Sequence, residues 1–129
     1  MTAPGMTDAG RSARMTFAGV MALLALQWLW HAALFPSGHP QGYWIAGVLS
    51  FPLALLAIAL WLGRPSARYW SGVIALLYFC HGVAEAWTLP AERGIALAES
   101  SLAVAIILAA NWNGLASRFK RRPAPPPNV

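Results

Sequence analysis

The sequence predicts an all-α integral membrane protein, a four-helix bundle of up-down-up-down topology with both termini in the cytoplasm. Three observations lead there. Four apolar stretches of about twenty residues fill most of the 129-residue chain. Only 10% of the residues are charged and 58% are hydrophobic, where soluble domains carry about 25% charged residues. Eight of the nine Lys and Arg residues fall on one side of the stretches. A soluble domain of this size could not cover so much apolar surface, whereas lipid solvates it.

The first span is read as about 15–35, "MTFAGVMALLALQWLWHAALF". It comes after Arg11 and Arg14, as a signal peptide would. However, a secretory core is shorter and ends in small residues, whereas this run ends in bulky aromatics, so an uncleaved span is expected. The second span, about 43–62, contains Pro52, which removes a backbone donor and crowds the carbonyl of Val48, so a kink is expected. The third covers about 69–89. The fourth covers about 95–115. At 1.5 Å rise per residue each run crosses a hydrocarbon core of about 30 Å, and the helix satisfies every backbone group internally. The links "FPSGHPQG", "GRPSAR" and "PAERG" are short and rich in turn residues, so successive helices are expected to be antiparallel neighbours. Residues 1–14 and 116–129 read as cytoplasmic tails, the second basic and Pro-rich and expected to be extended. No internal repeat is visible, and with it the inverted-repeat signature of many transporters is missing.

Orientation comes from the basic residues. Arg11 and Arg14 precede the first span, Arg64 and Arg68 lie in the second link, and Arg118, Lys120, Arg121 and Arg122 come after the last span. The other side has only Arg93, next to Glu92. The positive-inside rule therefore puts both termini in the cytoplasm of a multi-pass inner-membrane protein. All seven tryptophans sit near a span end, as an aromatic belt requires. The net charge of +5 is accounted for by these flanks, and no nucleic-acid partner is expected. Cys80 is the one cysteine and reads as a small buried apolar residue.

Two of the four acids, Glu85 and Glu99, fall inside spans, Glu85 about 6 Å from the outer end of the third. Ionisable residues in spans are costly and face the bundle interior, which makes them functional-site candidates. His81 and Glu85 are four apart on one helix face, with Tyr78 and Thr88 on the same stripe; Gln27 and His31 are four apart on the first helix. In the predicted topology Gln27, His31, Tyr78, His81, Glu85 and Glu99 share the outer half of the membrane and form a candidate polar cluster. The plain alternative is interhelical hydrogen bonding, worth about 0.6–2 kcal/mol per contact. A proton or cation relay is the sharper reading, and metal or haem held by His31 and His81 a third. No CxxCH, HExxH or paired CxxC motif is present, and no catalytic, cofactor or metal site is assigned. Gly82 and Ala86 form a small-xxx-small pair, and Ser101, Ala105 and Ala109 a longer stripe, both expected to pack within the bundle.

At "WLWH", "LYFCHGVAEAW" and "PAERGIALAESSLAV" the chain resembles a family of small proteobacterial inner-membrane proteins catalogued only as predicted membrane proteins of unknown function (DUF twenty sixty-nine). The likeness runs from about Leu23 to Trp112 and rests on the Tyr-Phe-x-x-Gly segment with its following acid, on Pro-x-x-Arg, and on the glutamate of the last span. It implies topology and location, and brings no activity or ligand. Taken together, the expectation is a non-enzymatic accessory or interaction protein that needs no cofactor. Its partners are the lipid bilayer and either another membrane protein or a second copy of the chain. A small proton- or cation-coupled transporter is the alternative, although the first helix lacks the acid that four-helix multidrug transporters use there.

Overall fold

The computed structural model describes residues 4–34 and 41–120, so most of the first link and residues 121–129 of the C-terminal tail lie outside the described residues. Within them the chain is all-helical, with no strand. Helix α1 spans Pro4–Trp28 and continues as a π-helical turn, Leu29–Leu34. Helix α2 is Gln41–Trp61, α3 is Ala67–Thr88 and α4 is Arg93–Phe119, the last preceded by a 3-10 turn at Pro90–Glu92. Three stretches are long and apolar enough to cross a membrane: Ala9–Leu34, Gly42–Trp61 and Pro90–Phe119. Helix α3 has the length, at 22 residues, but its hydropathy is diluted by Arg68, His81 and Glu85.

The helices begin and end for local reasons. Pro4 opens α1, where the missing N–H costs nothing. The residues read as an N-terminal tail are thus helical from Pro4. The Ser12 hydroxyl donates to the Ala109 carbonyl of α4, and the Arg68 guanidinium donates to the Ala9 carbonyl, so this turn is tied down at two points. Helix α2 runs without interruption through Pro52 and stops at Gly63, whose φ of 66° suits a residue without a Cβ. The Gly63 N–H bonds to the Leu60 carbonyl and the Arg64 N–H to the Ala59 carbonyl, the paired bonds of a Schellman motif. Helix α4 runs four residues beyond the end expected for its span.

Contacts define two ends of the bundle. At one, Ser12 meets Ala109, Arg68 meets Ala9, and Gly72 lies against Asn111. At the other, Gln27 and His81 meet Glu99, and Trp30 meets Glu92. Between them Val20, Leu23, Leu53, Leu56, Ala75, Tyr78, Ala103 and Ile106 form the main core, drawn from all four helices. A smaller cluster of Trp30, Ala86 and Ala96 caps the Glu92 end.

The tightest seam joins α3 and α4. The buried stripe of α3 is Ala67, Ser71, Ala75, Tyr78, Gly82 and Ala86, and that of α4 is Ala96, Glu99, Ser100, Ala103 and Ile106. Small side chains at about one-turn spacing let the backbones approach. A Cβ on Gly82 would stand 2.7 Å from the Ala96 carbonyl oxygen and 2.5 Å from Ser100 Oγ. The Gly82–Ala86 pair therefore packs inside, as expected. The stripe of Ser101, Ala105 and Ala109 does not: Ser101 and Ala105 are exposed, because Ala96, Ser100 and Ala103 claim the inner face of α4. Cys80 is exposed as well, a correction to its reading as buried, since Tyr78 and Gly82 turn inward on either side of it.

Six of the seven tryptophans, Trp28, Trp44, Trp61, Trp70, Trp87 and Trp112, are exposed near helix ends. Trp30 breaks the belt pattern, being fully buried. The reason is its register: Trp30 continues the buried stripe of Thr16, Val20, Leu23 and Gln27 at spacings of three and four, which turns it inward.

Candidate functional site

The Glu92 end of the bundle holds a layered polar site centred on Glu99. Helix α4 carries Glu99 on its inner face, and its side chain is completely buried. Each carboxyl oxygen has its own partner from a different helix. Gln27 of α1 donates through Nε2 to Oε1 at 2.5 Å, and His81 of α3 places Nδ1 2.9 Å from Oε2. Gln27 is itself fully buried, whereas the His81 side chain is 29% exposed.

This contact accepts two proton distributions without moving a heavy atom. An imidazolium donates from Nδ1 to a carboxylate; a neutral imidazole accepts at Nδ1 from a carboxylic acid. The Gln27 amide donates to Oε1 in both. The nearness of Gly82 makes the geometry possible, since a Cβ there would come within 3.0 Å of Glu99 Oε2.

A second layer lies further towards that end. The His31 ring stacks on the Trp30 indole, centroids 4.8 Å apart and planes 11° from parallel, and meets the His81 ring edge-on at 6.3 Å. Trp30 in turn donates its indole N–H to Glu92 Oε2 at 2.5 Å. Arg93 donates to the Ala86 carbonyl and so closes the short turn between α3 and α4. A cavity of about 240 Å³ adjoins this layer, lined by His31, His81, Glu85 and Glu92 with Gly42, Ile45 and Leu89. Two polar atoms beside the assembly, Gln27 Oε1 and His31 Nε2, are buried without a hydrogen-bond partner among the described residues.

Of the six residues named from sequence, Gln27, His81 and Glu99 are in direct contact, and His31 joins them through His81. Glu85 lines the cavity and is half-buried, apart from Glu99. Tyr78 is buried one turn away and donates its hydroxyl to the Leu49 carbonyl of α2, on the Pro52-containing stretch, so it braces α2 rather than the carboxylate. Thr88 is exposed and bonds its own helix at Ala84. Sequence spacing does not point to Trp30 or Glu92 as site residues, because a tryptophan near a span end reads as belt and Glu92 reads as the partner of neighbouring Arg93. Among the described residues no group of three or more His, Cys, Asp or Glu side chains is arranged to hold a metal ion.

The family described as predicted membrane protein (DUF2069) matches residues 15–115, most of the chain and all of the site. The chain belongs to that family. It is accordingly a membrane protein of a family whose description carries no activity. No curated protein and no solved structure matches it.

Proposed function

We propose that this DUF2069 protein is a four-span inner-membrane protein, up-down-up-down with both termini cytoplasmic, in which Glu99 and His81 form a proton-exchange site open to the periplasmic side. The observation that carries this reading is the single chain of contacts from a fully buried carboxyl, through His81, to a cavity lined by His31, Glu85 and Glu92. A carboxyl group inside a span is costly, and it is retained where protons or ions are handled. His81 suits the intermediate position because an imidazole gives and takes protons near neutral pH. The orientation rests on the basic residues, which favour the Ser12–Ala109 end as cytoplasmic. The third span is supported by the length of α3 and by the inward placement of Gly82 and the partly buried His81, which removes polarity from lipid. The protein is read as non-enzymatic, since the site contains no nucleophile beside a base.

Infrared difference spectroscopy across the range where carboxyls and imidazoles titrate is the test. A protonated-carboxyl band that disappears in Glu99→Gln and moves in His81→Asn is expected. A spectrum unchanged by Glu99→Gln would overturn the proposal.

A second reading is favoured by the full pairing of the Glu99 oxygens: a polar lock that fixes three helices in an accessory protein. Under it Glu99 holds one protonation state throughout the titration, and the protein co-purifies with a membrane partner in mild detergent.

A further inference from the structure

At the opposite end of the bundle, the α2–α3 hairpin carries features the polar site does not use. A groove of about 400 Å³ runs between the second half of α2 and the first turns of α3, walled by Pro52, Leu55, Leu56, Ala59, Trp70 and Ile74. Arg64 and Ser66 close its end. From Pro52 to Ala59 the wall rises about 10 Å along the helix axis. The groove is apolar and open on the outer surface of the bundle, with Leu55 and Trp70 about half exposed.

The position of Arg64 is fixed by the backbone. The Schellman turn at Gly63 bonds the Arg64 N–H to the Ala59 carbonyl, which sets the Arg64 backbone at the end of the groove wall, and its side chain lines the groove. Arg64 also lines an adjoining cavity of about 340 Å³ with Arg68, Leu60 and Ala13. Arg68 is engaged with the Ala9 carbonyl, whereas among the described side chains no carboxylate pairs with Arg64. Among the described side chains every carboxylate, Glu85, Glu92 and Glu99, is at the other end of the bundle. The Ser66 hydroxyl caps no backbone group of α3. Trp61, Tyr69 and Trp70 are exposed around the same level, the depth at which aromatic side chains meet lipid headgroups.

We infer that this groove is a binding site for one anionic phospholipid, with an acyl chain along Leu55, Ala59 and Ile74 and the phosphate held by Arg64 and Ser66. The two halves of the occupant match the two halves of the site. A hydrocarbon chain lies along the apolar wall from Pro52 to Ala59 and keeps its length out of contact with the charged end. A phosphate diester offers the guanidinium a bidentate acceptor. A zwitterionic lipid offers the same phosphate with a compensating ammonium, which places a third cation beside Arg64 and Arg68. In the orientation given by the basic residues the site faces the cytoplasmic leaflet, where anionic lipids and cationic pockets between helices meet.

The test uses the full chain, purified in detergent and stripped of lipid. Phosphatidylglycerol, phosphatidylcholine of the same acyl chains, and inorganic phosphate are titrated separately, with bound lipid read by native mass spectrometry and melting by circular dichroism. Phosphatidylglycerol is expected to bind at one saturable site and raise the melting temperature. Phosphatidylcholine should bind about five- to tenfold more weakly, and inorganic phosphate should leave the melt unchanged. Arg64→Gln should remove the preference for phosphatidylglycerol and Ala59→Phe, which fills the slot, should remove the bound lipid, while Arg118→Gln retains both. Equal binding of the two lipids, an Arg64→Gln protein with the wild-type preference, or stabilisation by inorganic phosphate alone would each overturn the assignment. A variant counts only if its helical content matches wild type; should Arg64→Gln lose it, Arg64→Lys, which keeps charge but not the bidentate fork, should weaken phosphatidylglycerol while still preferring it.

Discussion

Glu99 has two side-chain partners and no solvent, and this decides what its replacement does. Glu99→Ala leaves the Gln27 amide and the His81 ring without their acceptor inside the bundle. Each stranded group costs about 1–3 kcal/mol, so a clear fall in the unfolding midpoint in detergent is expected. Glu99→Gln keeps a carbonyl for one donor and retains the shape, so its loss of stability should be smaller than that of Glu99→Ala, although its protonation signal is gone. Equal destabilisation by the two would show that volume, rather than pairing, is what the position supplies. Trp30→Phe keeps an aromatic face for His31 and removes only the N–H to Glu92; a loss of about 1 kcal/mol in the same assay is expected. Much of this is legible in the sequence. Gln27, His81 and Glu99 emerge from spacing and from depth within the spans, because a polar group in lipid has to turn inward. Trp30 and Glu92 are not legible as a pair, since a tryptophan near a span end reads as belt and Glu92 reads as the partner of neighbouring Arg93.

At the level of helices the α3–α4 seam is set by what is absent from Gly82. Gly82→Ala pushes a methyl group towards the Ala96 backbone carbonyl, which cannot swing aside as a flexible side chain can. Overpacking of about 1–3 kcal/mol is expected, together with a weakened His81–Glu99 contact. Gly47, on α2, has open space around its Cβ position, so Gly47→Ala should be neutral or stabilising by up to about 1 kcal/mol. Thermal melts of the two variants side by side make the comparison, and a harmless Gly82→Ala would mean that the seam is looser than described. The sequence points to Gly82 and Ala86 but points equally to Ser101, Ala105 and Ala109. In a chain so rich in alanine, small-residue spacing does not choose a face; the burial of Glu99 does, and it carries Ala96 and Ala103 inward with it. Cys80 is illegible for the same reason, as apolarity in a span says nothing about which side meets lipid.

For the whole molecule, the separation of charge is the quantity to test. In a Cys80→Ser background, a thiol reagent that does not cross membranes should label Ala91→Cys from outside spheroplasts and Ser117→Cys only from inside-out vesicles; both positions are exposed. The opposite pattern would reverse the proposed orientation, and labelling of both from one side would break the four-span topology. The existence and number of the helices are readable, because four apolar runs separated by breakers leave little freedom. Their ends are less so. The first helix starts well ahead of its apolar run, since Arg68 and Ala109, far along the chain, anchor residues that look like a tail on their own.

The π turn at Leu29–Leu34 gives this protein a property that no inventory of its side chains contains. A π turn holds one residue more than the α turn it replaces. Spacing along the chain is therefore a specification in its own right here, alongside chemistry. Deleting Ala33 lets the turn close to α pitch and leaves the residues on either side near their present bearing. Deleting Ala25 from the regular part of α1 instead rotates Gln27 and Trp30 by about 100° relative to the core residues before them. The Ala33 deletion should therefore be tolerated far better than the Ala25 deletion in melting and in the infrared titration. In this segment a missing residue is the less damaging change, because the turn already holds one to spare.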